Sequence, residues 1–266
     1  MNIIRNKMKI QYFSDIHLEF FRHHNDIEKV ISKINRCADI CVIAGDIGYP
    51  FQYSYDFFLK SISKIFKHTI IIHGNHEYYQ IIKEQENKSI EDIKNKTKEI
   101  CNKLNNVYFL DNSYIDLPDE NNKMYRFIGS TLWSHIYMPQ YTVNDKINIH
   151  EFTVENNNSW YAQNIAFIED TIDKSKDIDC VMITHHLPSF NLIDEKYSQG
   201  PYQMYNQCFA SNSDVLIKSP IKAWIYGHTH VKSNKKINDV ICVANPIGYP
   251  GENDESVINF NETISF

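Results

Sequence analysis

Seven side chains able to ligate a metal stand in order along the chain: Asp15, His17, Asp46, Asn75, His185, His228 and His230. They supply two carboxylates, one amide and four imidazoles. That is too many donors for one ion and suits two. Imidazole mixed with carboxylate fits Mn2+, Fe, Zn2+ or Ni2+, with Mn2+ the leading expectation, whereas Ca2+ and Mg2+ prefer all-oxygen shells. Two such ions about 3.5–4 Å apart clamp a phosphoryl group and lower the pKa of a bridging water. Set against two carboxylates they leave a charge of about +2, or about +1 once a bridging hydroxide forms, which draws in a phosphate anion.

Each of these residues follows a short β-branched or aromatic run. IQYF (10–13) leads into Ser14-Asp15-Ile16-His17, ICVI (40–43) into Gly45-Asp46, and TIIIH (69–73) into Gly74-Asn75-His76-Glu77. CVMIT (180–184) leads into His185-His186, and AWIYG (223–227) into His228-Thr229-His230. Ligands in open α/β sheets bind beyond the carboxyl ends of strands, so five such ends can meet at one place. Three of the eight glycines, Gly45, Gly74 and Gly227, directly precede a polar residue of this set, where a missing Cβ permits a tight turn or close backbone approach. VYFL (107–110), YRFIG (125–129) and VICVA (240–244) read as further strands. Helical spacing of apolar residues marks 26–36 and 55–66, and the Lys/Glu-rich stretch 81–104 reads as an amphipathic surface helix. This alternation implies α/β layering, and the later strands, with fewer helices between them, imply a mixed or second sheet. No linker or repeat interrupts 1–266, so one domain is expected.

Composition narrows the function classes. The 266 residues are 42% apolar and 23% charged, an ordinary globular balance. A net charge of −6 argues against a general surface for duplex nucleic acid or anionic membrane. No apolar run reaches the length of a membrane span, and the opening MNIIRNKMKI is too polar for a signal h-region. The six cysteines lack C-x-x-C spacing and several sit in apolar runs, so reduced, buried thiols in a cytoplasmic protein are expected.

The ordered set Asp15-x-His17, Gly45-Asp46, Gly74-Asn75-His76-Glu77, His185 and Gly227-His228-x-His230 resembles the calcineurin-like metallophosphoesterase superfamily, over about residues 9–252. SDIHLEF (14–20), GSTLW (129–133), THHLPS (184–189), the FAS of 209–211 and NPIGYPGE (245–252) are similar to a group of small bacterial-type phosphoesterases within it. The resemblance implies a four-layer α-β-β-α sandwich with two mixed sheets and a dinuclear metal site at the strand ends. It implies one metal on Asp15, His17, Asp46 and His230, and a second on Asp46, Asn75, His185 and His228, with Asp46 bridging. His76 would face the scissile phosphate and Glu77, where many relatives have Asp, would orient it. A metal-bridging hydroxide would then hydrolyse small phosphomonoesters or phosphodiesters.

Other classes fit the sequence less well. A non-catalytic interaction module on this fold would be marked by lost ligands, and all are present. A DNA-repair nuclease calls for a basic, DNA-reading surface. Nothing marks the protein-docking groove of a phosphoprotein phosphatase. His186 is read as packing or orienting, and His23, His24, His68, His73 and His150 as solvated or structural. Ser134-His135 departs from the Thr-Asp-like pair of relatives. The aromatic segment 133–161 (Trp133, Tyr137, Tyr141, Trp160, Tyr161) reads equally as a rim over the site or as packing, and Tyr249 as one side of the cleft or a strand end.

Overall fold

The structure, a computed structural model, describes residues 7–21, 23–140, 143–253 and 258–266. Its strands are β1 (Lys9–Phe13), β2 (Ile40–Ala44), β3 (His68–Ile72), β4 (Val107–Phe109), β5 (Ser113–Pro118), β6 (Met124–Ser130), β7 (Asp179–Thr184), β8 (Ile221–Tyr226), β9 (Ser233–Ile237), β10 (Val240–Ala244) and β11 (Thr263–Ser265). Helices are α1 (His24–Ser32), α2 (Tyr53–Ile62), α3 (Ile90–Cys101), α4 (Asp145–Asn148), α5 (Val154–Asp173) and α6 (Glu195–Ser198).

The strands form two mixed sheets, ordered β11-β1-β2-β3-β4 and β5-β6-β7-β8-β10-β9. β1, β2 and β3 run parallel, as do β6, β7, β8 and β10; β11, β5 and β9 are antiparallel to their neighbours. β2 shows why its run carries no alternating pattern. Ile40, Val42 and Ala44 pack between the sheets while Cys41 and Ile43 pack under the helices, so all five are buried. The first sheet is covered by α1, α2 and α3 through Ile27, Phe58 and Ile100, and the second by α5 through Ile168 and Ile172. Each fully buried side chain of this kind contributes roughly 1.5–3 kcal/mol. The result is the four-layer sandwich.

Boundaries differ locally. The stretch 81–104 becomes helical only from Ile90, where Ser89 and Asp92 form a capping box, and Lys83–Gln85 is a 3-10 turn. The helix at 26–36 spans His24–Ser32, and Ile34 is buried in the loop beyond it. No helix among the described residues is long and apolar enough to cross a membrane.

Candidate metal centre

All seven candidate ligands lie just beyond the carboxyl ends of β1, β2, β3, β7 and β8. β1, β2 and β3 bring Asp15, His17, Asp46 and Asn75 from one sheet; β7 and β8 bring His185, His228 and His230 from the other. The turns interlock through their backbones. The Asp15 amide donates to Gly45 O (3.0 Å), the His17 amide to Asp46 O (3.0 Å), and the Gly227 amide to His185 O (3.0 Å). The GSTLW stretch contributes the Thr131 carbonyl, which accepts from the His185 and His186 amides.

Space explains all three of the flagged glycines, and a Cβ on Gly227 would lie 2.8 Å from Asp15 Oδ2. Gly45 has φ +84°, and a Cβ there would lie 2.6 Å from His185 Nδ1. A Cβ on Gly74 would lie 2.2 Å from Asp46 Oδ1. The backbone is also strained at the candidate ligands themselves. Asp15, His17, Asp46, His228 and His230 all have left-handed φ, between 49° and 73°. Non-glycine residues persist there only when their surroundings hold them, as happens at functional sites.

Two donor groups meet at the centre, Asp15–His17–His230 and Asp46–His185–His228, each with ligand atoms within 4.8 Å of one another. They adjoin through His17 Nε2, 3.8 Å from Asp46 Oδ2. Asn75 Oδ1 lies 3.1 Å from His185 Nε2, itself 3.3 Å from Asp46 Oδ2. His17, Asp46 and His76 form a third such group.

Outer partners fix which atoms point inward. Glu19 accepts from His17 Nδ1 (3.0 Å), Glu252 from His230 Nδ1 (2.6 Å), Ala44 O from His185 Nδ1 (2.8 Å) and Cys208 O from His228 Nε2 (3.3 Å). Asn75 gives its amide hydrogens to Asp145 Oδ1 (2.8 Å) and Tyr79 OH (3.3 Å), which turns Oδ1 inward. Each inward atom therefore has a lone pair to offer a metal once it carries no proton. His17 Nε2 and His230 Nε2 stand 3.0 Å apart, each with its other nitrogen on a carboxylate. At that distance the two nitrogens must share a proton or a metal ion; a proton on His230 serves in the metal-free protein, a divalent metal can take its place, and the outer carboxylates and carbonyls do what partners of ligating histidines do.

Electrostatics agree with a cation-binding centre. Burial opposes the charge on Asp46, but His185, His76 and His17 hold its carboxyl well below the usual range. Asp15 is lowered against burial by His230. Burial works against protonating His185 and His230, yet Asp46 raises the first to about 9. Asp15 and Glu252 raise the second to about 10. These protons occupy the lone pairs that a metal would take.

His76 and Glu77 part company. His76 places Nδ1 2.9 Å from Glu19 Oε1 and Nε2 3.1 Å from the Tyr249 hydroxyl, with its ring stacked on Tyr79 at 4.1 Å. Glu77 does not orient it. Its carboxylate accepts from three backbone amides, Gly74 (2.7 Å), Ile47 (2.7 Å) and Asp46 (3.1 Å), and so ties the β2 and β3 turns together. The orienting carboxylate is Glu19, whose Oε1 serves both His17 and His76. Glu19 sits in the quoted SDIHLEF, two residues past His17, and that adjacency was its signal. Glu252 stands likewise in NPIGYPGE. Asp145 had none.

The remaining histidines are placed as packing or solvated groups. His186 bonds Ser134 Oγ at 2.7 Å and stacks on His228 at 4.2 Å. Buried His73 bonds Tyr78 and Thr97, half-buried His68 bonds Tyr108, and His23, His24 and His150 are exposed. Of the segment 133–161, Trp133 is buried and Trp160 packs on it, Tyr137 is exposed, and Tyr141 lies outside the described residues. Tyr249 does line the cleft, whose other aromatic wall comes from residues 197–209 instead.

Comparison with known proteins gives the same frame. An uncharacterized protein of Acanthamoeba polyphaga mimivirus is 30% identical over 278 residues, covering 95% of this chain and 94% of its own length. Among solved structures, the phosphopantetheinyl hydrolase PptH of Mycobacterium tuberculosis superposes with TM-score 0.72 at 12% identity, covering 96% of this chain and 95% of that one. TT1561 of Thermus thermophilus does so with TM-score 0.57 at 12% identity, covering 90% and 89%. The calcineurin-like phosphoesterase family profile matches residues 8–232, and the chain belongs to that family.

Proposed function

We propose that this protein is a phosphoester hydrolase that works with two divalent transition-metal ions, Mn2+ first among them, on small phosphomonoesters or phosphodiesters. The observation that carries the reading is the inward-facing donor set: two carboxylates, an amide oxygen and imidazole nitrogens, with each imidazole's other nitrogen and the Asn75 amide hydrogens held by outer acceptors. Asp15, His17, Asp46 and His230 would hold one ion, and Asp46, Asn75, His185 and His228 the other. Bound there, the ions would neutralise phosphoryl charge and acidify an attacking water.

The protein's own part centres on His76. Burial disfavours its charged ring, but Asp46 and Glu19 outweigh that and raise its pKa. The ring faces the cleft through Nε2, beside the Tyr249 hydroxyl. From there it stabilises charge on the phosphoryl oxygens and hands its Nε2 proton to the leaving oxygen as the P–O bond breaks. Glu19 holds the ring in register by taking the Nδ1 hydrogen. The net charge of −6 favours a small ester over a duplex, and six cysteines outside any disulfide suit the reducing cytoplasm.

The test is metal analysis together with phosphate release and diester cleavage on chelated and Mn2+-reconstituted protein. Reconstitution should bring two ions per chain and turnover. Full activity in confirmed metal-free protein would sink the proposal.

A further inference from the structure

The cleft beside the donor cluster has a volume of about 610 Å3, well beyond what a phosphoryl group fills. Asp46, Asn75, His76, His228 and His230 form its floor. Six rings line much of the rest: Tyr79, Tyr197, Tyr202, Tyr205, Phe209 and Tyr249. Tyr202 is 60% exposed and stands edge-on to Tyr197 at 6.1 Å, so a broad aromatic surface faces the opening with nothing apolar laid on it. Such patches mark binding sites.

Charge limits what lies there. Among the described residues that line the cleft there is no lysine or arginine. Beyond the floor the one acidic side chain is Glu252, already paired with His230. The cation beside the aromatic wall, Lys196, lies 4.6 Å over the Tyr197 ring and does not line the cleft, so a second phosphate or a carboxylate on the substrate would leave water without a cationic partner in the lining, which is costly. A flat neutral ring would instead stack on the tyrosines, a contact worth enough to change affinity about tenfold or more.

We infer that the cleft selects esters carrying a single phosphoryl group on a neutral alcohol that bears an aromatic ring. The inference rests on the phosphoesterase reading and adds its substrate class. Tyr197 and Tyr202 are the specificity-determining pair, both clear of the donor cluster.

The test compares 2-phenylethyl phosphate with ethyl phosphate on Mn2+-loaded protein. The two alcohols are of similar acidity, so intrinsic reactivity is matched and the difference reads binding. The ring-bearing ester should show kcat/KM about tenfold or more higher, expressed in KM. Calorimetry with the same two esters should show the same preference independently of turnover. Tyr202→Ala combined with Tyr197→Ala should bring the ratio close to one, and Tyr202→Phe should preserve it. 2-Phenylethyl diphosphate should bind more weakly than the monophosphate. Equal binding of both esters, or a preference unchanged in the double alanine variant, overturns the inference. Hydrolysis of neither ester would instead count against the phosphoesterase reading, with calorimetry still deciding the preference.

Discussion

Asp145 points no atom at the metal centre, yet it holds two residues that do the facing. Its Oδ1 accepts from Asn75 Nδ2 at 2.8 Å and from the Tyr79 hydroxyl at 2.7 Å, and Tyr79 stacks on His76. Without it the Asn75 amide is free to flip and present hydrogens inward. Asp145→Leu should therefore bind one ion per chain in place of two, while Asp145→Asn, whose oxygen still accepts, should keep both; elemental analysis decides, and equal loss in the two variants would refute the role. Glu19 works on the proton. With its carboxylate replaced in Glu19→Gln, His76 loses a partner that raises its pKa, so its proton leaves at lower pH. The alkaline limb of kcat, measured at saturating metal, should shift to lower pH, with kcat reduced about 10–100-fold, the usual cost of removing such a partner. An unmoved limb would separate Glu19 from the acid.

Between elements, Glu77 is the tie. Three amides from the β2 and β3 turns converge on its two oxygens. Glu77→Gln offers a single oxygen and turns an NH2 toward a backbone donor, which should cost about 1.5–3 kcal/mol. Thermal unfolding should fall by roughly 3–10 °C, while His76→Gln, which leaves the tie intact, should melt close to the parent. The same scale shows what the sequence displayed and what it hid. All eight apolar runs became strands, because strands buried on both faces must be apolar throughout. Glu77 was misplaced because its neighbour in sequence, His76, is not its partner in space. β5, β9 and β11 went unread: the first two are sheet-edge strands, half-exposed SYIDLP and polar SNKKI, and the last is three residues long. α5 was hidden by its own first turns, VENNN, whose asparagines are poor helix formers; Thr153 caps it and packing on the second sheet holds it. Asp145 sits on a four-residue helix with no periodicity to announce it.

At the scale of the whole molecule, metal, protons and stability are linked. In the metal-free protein, against the pull of burial, Asp46 raises His185 to about 9 and Asp15 and Glu252 raise His230 to about 10, so both rings are protonated at neutral pH. Metal must displace those protons, so binding near pH 7 should release them and weaken as pH falls. Calorimetry in buffers of different ionisation heat counts the release; none would contradict the assigned ligands. The raised values also give a sign for stability. The contribution of these charged rings is complete below the ordinary value of 6.5 and lost as pH rises through about 9 and 10. Metal-free protein should thus melt lower at pH 10 than at pH 7, and metal-loaded protein should not follow it. Chain order adds one more consequence. The first sheet is built from residues up to Phe109 plus β11, and the second from Ser113 to Ala244. Each proposed ion would take ligands from both sides of that divide. A chain severed at Asp111–Asn112 would be two halves sharing one edge strand, one apolar core and one set of donors, a complementing pair whose grip the ion should tighten and a chelator should loosen.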